Sequence, residues 1–115
     1  MISHNNENGS VNVSASVYTD IAGTAASNCF GVKGMAARSV RDGLYHLLRR
    51  ESMSKGVRVD FHEDRSISIE LHIMVDNGVN LTAVGESIIS EVRYVVNKCT
   101  GTPVRAVHVY IDNMV

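Results

Sequence analysis

The sequence predicts an α+β protein: a two-layer α/β sandwich of order β-α-(α)-β-β-α-β, with the helices on one face of a small mixed, mainly antiparallel sheet. Three patterns predict it. Apolar and polar residues alternate on either side of a short turn between Val57 and Val75, the spacing of half-buried strands. From Leu81 to Cys99 the spacing changes to three and four, as in a helix with one buried stripe. Val107, Val109 and Ile111 then return to period two. One-sided strands and one-striped helices bury their apolar sides against each other, which makes two layers.

Residues 1–10 are polar and rich in Asn, Ser and Gly, and read as a flexible N-terminal arm before a single domain over residues 11–115. Val11-Asn12-Val13 alternates like a short strand. Ser14 or Ser16 can then cap a helix by accepting a backbone N–H. That helix carries Tyr18, Ile21, Ala22, Ala25 and Cys29 on one stripe and stops near Asn28 to Gly31. A second helix is expected from about Ser39 to Glu51, where Val40, Leu44, Leu47 and Leu48 have helical spacing among Arg38, Arg41, Arg49 and Arg50.

Val57, Val59 and Phe61 form one half of a hairpin, and Ile67, Ile69, Leu71, Ile73 and Val75 the other. Apolar residues must oppose apolar residues, so Phe61 faces Ile67, Val59 faces Ile69 and Val57 faces Leu71. This register sets Arg58 across from Glu70, an opposite-charge pair. The helix that follows carries Leu81, Val84, Ile88, Val92, Val95, Val96 and Cys99. Burying all seven contributes on the order of 10 kcal/mol as an upper bound. Gly101 and Pro103 stop it before the last strand.

At 115 residues the chain supports one core. With 44% hydrophobic residues, 20% charged and a single proline, it has the composition of a folded globular domain. Eleven Lys+Arg against 12 Asp+Glu give a net charge of -1, which offers no general attraction to nucleic acid or anionic lipid. No apolar run reaches the roughly 18 residues of a membrane span, and the N-terminus lacks the pattern of a secretion signal, so a cytoplasmic location is expected. Cys29 and Cys99 read as free, buried thiols at helix ends.

Chemistry finds few of its parts. The five histidines show no metal-ligand spacing, there is no nucleophile elbow, and no phosphate-binding or dinucleotide glycine pattern occurs. No cofactor, metal or catalytic residue is therefore expected. Glu63 and Asp64 sit at a turn tip, where turn formation explains them. His62, His72 and His108 fall on the polar phase of their strands and share the sheet's second face with Tyr110, Asp60 and Glu70 if those strands adjoin. One alternative stays open: Gly31-Val32-Lys33-Gly34 is a Gly-x-x-Gly between two predicted helices, as in a KH domain, and Lys33, Arg38 and Arg41 would then contact phosphates.

A wider set of residues carries a family resemblance. Gly9, Val11, Val13, Ser14, Val17, Ile21, Ala22, Ala25, Gly31 and Val32 are followed by Lys55-Gly56-Val57 and Asp76-Asn77-Gly78-Val79-Asn80-Leu81. Glu86-Ser87, Thr100-Gly101 and Val107-His108-Val109 complete the series. Their order and spacing, from Gly9 to Ile111, resemble the alkaline shock or envelope stress response family of mainly Gram-positive bacteria. The resemblance implies a small cytoplasmic protein without a known reaction, linked to envelope stress. It also implies association with the membrane through a protein partner or self-assembly. Homo-oligomers fit the edge strands that a small sheet leaves. The surface candidates for such contacts are Lys33, Arg38, Arg41, Arg49, Arg50, His72, His108 and Tyr110.

Overall fold

The computed structural model describes residues 2–35 and 56–115. They form β1 (Ile2–Asn6), β2 (Gly9–Val13), α1 (Ala15–Ser27), β3 (Val32–Met35), β4 (Val57–Phe61), β5 (Ile67–Val75), α2 (Leu81–Thr100) and β6 (Val104–Met114). The middle helix expected near Ser39 to Glu51, with Arg38, Arg41, Arg49 and Arg50, lies outside the described residues.

β5 organises the main sheet. Along one edge β4 pairs antiparallel with its first half, in the register the hydrophobic pattern predicts: Val57 opposite Leu71, Val59 opposite Ile69, Phe61 opposite Ile67. β3 pairs antiparallel with its second half, Met35 opposite Ile73 and Val32 opposite Val75. Met35 and Val57 therefore lie on the same edge, opposite Ile73 and Leu71, two residues apart along β5. The other edge of β5 is filled by β6, which runs parallel to it over its whole length. A strand, a crossover helix and a parallel neighbouring strand form a βαβ unit, so α2 lies back across the sheet.

The core lies between the sheet and the two helices. Ile67, Ile69, Leu71, Ile73 and Val75 are fully buried on that side of β5. Val84, Ile88, Val92 and Val96 meet them from α2, and Tyr18, Ala22, Ala25 and Ala26 from α1. The buried stripe of α2 is narrower than its seven apolar residues suggested. Leu81 is 41% exposed and Cys99 is exposed, because only residues spaced by four along one line face a single layer. The hydroxyls of Tyr18 and Thr102, both fully buried, hydrogen-bond at 2.7 Å and tie α1 to the link between α2 and β6.

Helix ends follow local chemistry. Asn80 Oδ1 accepts the Ala83 N–H at 3.0 Å at the start of α2, and Gly101 ends it in the left-handed conformation. Ser14 occupies the N-cap of α1, yet its hydroxyl pairs with that of Ser16 and caps no backbone N–H.

The N-terminal residues differ from the expected loose arm. β1 and β2 form an antiparallel hairpin, with Ile2 opposite Val13 and buried in the core. Its turn is held by Asn6 Oδ1, which accepts the Asn8 N–H at 2.8 Å, and Asn8-Gly9 suits a tight reversal.

Candidate functional site

β5 turns Ser68, Glu70, His72 and Met74 to the face away from α1 and α2, since its neighbouring residues all point into the core. The parallel register lays β6 beside them, with Ser68 opposite Ala106, Glu70 opposite His108 and His72 opposite Tyr110. The adjacency that the polar phase of the strands required is thus met. His72, His108 and Tyr110 share one surface, together with Glu70 and, from β4, Asp60.

His72 is the fixed point of this surface. Its side chain is 13% exposed, and Nδ1 lies 2.9 Å from Asp112 Oδ2. The ring of Tyr110 stacks on it, centroids 4.9 Å apart and planes 11° from parallel. Nε2 faces Glu70 Oε2 at 3.8 Å, too far for a hydrogen bond, and is buried without a hydrogen-bond partner. An imidazole held from three sides by two carboxylates and an aromatic ring has little freedom to turn. Tyr110 itself is 45% exposed, and His108 stands exposed beside it.

Asp112 is a member of this cluster that the apolar alternation does not announce. A β-bulge opposite Ile73 and Met74 leaves it without a register partner on β5, and its carboxylate reaches back to His72. Extending the His108, Tyr110 alternation by two residues is the signal that finds it.

The rest of the face is polar and locally satisfied. His62 Nε2 and Ser68 Oγ hydrogen-bond at 2.7 Å. Arg58 reaches Asp60 at 3.3 Å along its own strand and has Glu70 as its register partner. At the β4–β5 turn, Asp64 accepts from Ser66 Oγ at 2.6 Å, from the Ser66 N–H at 3.1 Å and from Arg105 at 2.9 Å. Those donors, Ser66 first, hold its carboxyl well below the usual carboxylate range. Asp64 thus anchors the start of β6 to the turn.

Lys33 is elsewhere. Gly31-Val32-Lys33-Gly34 is no loop between helices, as the KH-like reading required: Val32 begins β3, and Gly31 packs beneath α2. A Cβ on Gly31, whose φ is +86°, would stand 3.0 Å from Val84 Cγ2. Lys33, in a bulge of β3, pairs with Asp76 at 3.5 Å. No clamp for a nucleotide backbone is left in this segment, and the RNA-binding alternative falls with it. Arg38, Arg41, Arg49 and Arg50 are outside the described residues.

The thiols do not form a disulfide. Cys29 donates to the Ala25 carbonyl at 3.4 Å; burial, with Glu91 adding to it, pushes its thiol up. Cys99 is exposed, unlike the buried thiol expected, because it lies off the buried line of α2. Among the described residues, no group of three or more His, Cys, Asp or Glu is arranged to hold a metal.

This arrangement sits within a known family. The model of the alkaline shock protein 23 family, cell envelope-related function, matches residues 3–115. The chain belongs to that family. It is 35% identical over 107 residues to "Uncharacterized protein YloU" of Bacillus subtilis (strain 168), covering 92% of this chain and 88% of that one. It is 32% identical over 111 residues to "Uncharacterized protein Spy1614" of Streptococcus pyogenes serotype M6, covering 96% and 91%. Similarity extends to "Uncharacterized protein YqhY" of Bacillus subtilis (strain 168), 28% over 103 residues, covering 90% and 75%. No solved structure matches the chain. The alkaline shock resemblance of its motifs is therefore membership, and the envelope is the setting in which the surface around His72 has to be understood.

Proposed function

We propose that this alkaline shock family protein is a non-enzymatic interaction module of cell-envelope homeostasis and the envelope stress response. It binds a protein partner, or further copies of itself, through the sheet face built around His72. The observation that carries this reading is the way His72 is fixed. Asp112, Glu70 and the Tyr110 ring leave the imidazole immobile and present a half-exposed tyrosine beside an exposed histidine. Rigid aromatic groups with polar tips lose little entropy on binding and recur as interface anchors.

The same geometry argues against a nucleophile. In a Ser–His–Asp arrangement the nucleophile sits on the ring nitrogen remote from the carboxylate. That nitrogen of His72 is buried and has no hydrogen-bond partner. No helix among the described residues is long and apolar enough to cross a membrane. A position at the inner face of the membrane, held through a partner, is part of the same proposal.

The test is complementation of an envelope-stress phenotype in a Gram-positive host lacking the protein. His108→Ala with Tyr110→Ala should fold, keep its cellular level and fail to complement. Full complementation by this variant would remove the face from the proposed function.

A further inference from the structure

The outer edge of β6, unpaired among the described residues, carries a second, more specific interface. We propose that a second copy of this chain pairs with β6, antiparallel and about a two-fold axis through Val109, joining the two sheets into one. The proposal rests on the self-association half of the function above and gives it a surface and a register.

β6 is the longest strand, 11 residues, and among the described residues it pairs with β5 alone. Its outer side is a row of backbone donors and acceptors, which proteins usually guard with charges, proline or bulges. The stretch Ala106-Val107-His108-Val109-Tyr110-Ile111 between its two bulges has no proline, lysine, arginine or carboxylate.

The bulges themselves select the register. Pairing with β5 puts Val104, Val107, Val109, Ile111 and Met114 on the helix side, opposite Ile67, Ile69, Leu71, Ile73 and Val75. Ala106, His108 and Tyr110 point the other way. Arg105 and Asp112 are the extra residues at the two register shifts. Strands that pair must match face to face. With the axis at Val109, Val109 meets itself, Val107 meets the partner's Ile111, His108 meets the partner's Tyr110 and Val104 meets the partner's Met114. Each pair shares a face, because the extra residue near Arg105 falls in the same interval as the one near the partner's Asp112. Moving the axis to Tyr110 sets Val107 against the partner's Asn113, on the opposite face. Moving it to His108 sets Val104 against the partner's Asp112, a bulged carboxylate in place of an apolar residue.

Shape supports the same register. Beside the start of β6 lies a groove of about 570 Å³ lined by Ser90, Arg93, Tyr94, Asn97, Pro103 and Val104, in which Tyr94 is 60% exposed. Met114, at the other end of the strand, is 48% exposed, and Val115 56%. The register brings the partner's Met114 opposite Val104, at the mouth of this groove, and the two-fold axis repeats the contact. Arg93 donates to the Arg105 carbonyl at 3.2 Å near one bulge, and the Met114 N–H donates to Asn113 Oδ1 at 2.9 Å near the other, so each end of the strand has one backbone group already engaged. Such an isologous contact closes on itself as a dimer.

Sedimentation velocity of the full chain from micromolar to near-millimolar concentration is expected to show a monomer–dimer equilibrium. Met114→Lys, an exposed substitution, should leave the fold intact and raise the dimer Kd at least about tenfold by replacing an apolar contact with a second positive charge near Arg93 in the groove. Val109→Cys, with Cys29→Ala and Cys99→Ala, should oxidise to a disulfide-linked dimer, since directly opposed antiparallel residues lie about 5.5 Å apart at Cα. Phe30→Cys in the same background, exposed and outside β6, should not. A chain that stays monomeric throughout overturns the proposal. A dimer that ignores Met114→Lys and does not cross-link through position 109 also overturns it, yet leaves self-association by another surface standing. Failure of His108→Ala with Tyr110→Ala to affect complementation speaks instead against the function proposed above.

Discussion

Alternate residues of β5 live in two different chemical environments. Ile67, Ile69, Leu71, Ile73 and Val75 meet helices and are fully buried. Ser68, Glu70 and His72, interleaved with them, meet side chains from β4 and β6 and form a polar surface whose centre is held by hydrogen bonding and stacking. The first set makes the fold, and the second carries the contacts proposed above. Substitutions on the two faces should therefore differ in kind: those on the helix face should change stability, and those on the outer face should, under the proposed function, change recognition.

The strongest way to break this comparison is in the core. Leu71→Ala deletes a fully buried side chain at the centre of the sheet and should cost about 3 kcal/mol, read as a shift of the urea midpoint at constant slope. Next comes Gly31→Ala, where a positive φ and the 3.0 Å approach of Val84 act together. A loss of about 2 kcal/mol in the same assay is expected. A neutral effect at either site would mean that the core is less closely packed than described.

The outer face should respond more weakly. His72→Phe keeps an aromatic ring for Tyr110 but leaves Asp112 without its imidazole partner, and should cost about 1 kcal/mol. A loss as large as that of Leu71→Ala would erase the distinction between the faces.

The smallest effect concerns Asp64, which is exposed. Its folded pKa is depressed, so its contribution is present above the unfolded value of about 4 and fades as pH falls below that value toward the folded one. Asp64→Asn should flatten the acid limb of the stability profile below about pH 4, with little change near neutrality. An unchanged acid limb would show that the Ser66 and Arg105 contacts do not stabilise the fold.

Much of this division is legible in the sequence. Period two between Val57 and Val75, with Arg58 facing Glu70, suffices for the hairpin register, because a one-residue slip would turn every apolar side chain outward. The sheet face containing His72, His108 and Tyr110 follows once its strands are taken to adjoin. Asp112 is found only by extending the polar phase of His108 and Tyr110 by two residues, because the apolar alternation stops at Ile111, before the bulge that frees its carboxylate. β3 escapes periodicity because it is four residues long and a bulge at Lys33 interrupts its alternation, so only pairing with β5 reveals it. Ile2 resembles part of a loose arm since the residues after it are polar, and Asn8-Gly9 is the one sign of a turn there. Each of these features involves a partner distant in sequence or an irregularity that periodicity averages away.

The most direct test of the two-faced strand sets Leu71→Ala against Tyr110→Ala, measuring urea unfolding and envelope-stress complementation for both. The account predicts that Leu71→Ala loses about 3 kcal/mol of stability, whereas Tyr110→Ala unfolds within about 1 kcal/mol of the parent and yet fails to complement. A Tyr110→Ala protein that complements fully, or that unfolds as readily as Leu71→Ala, would contradict it.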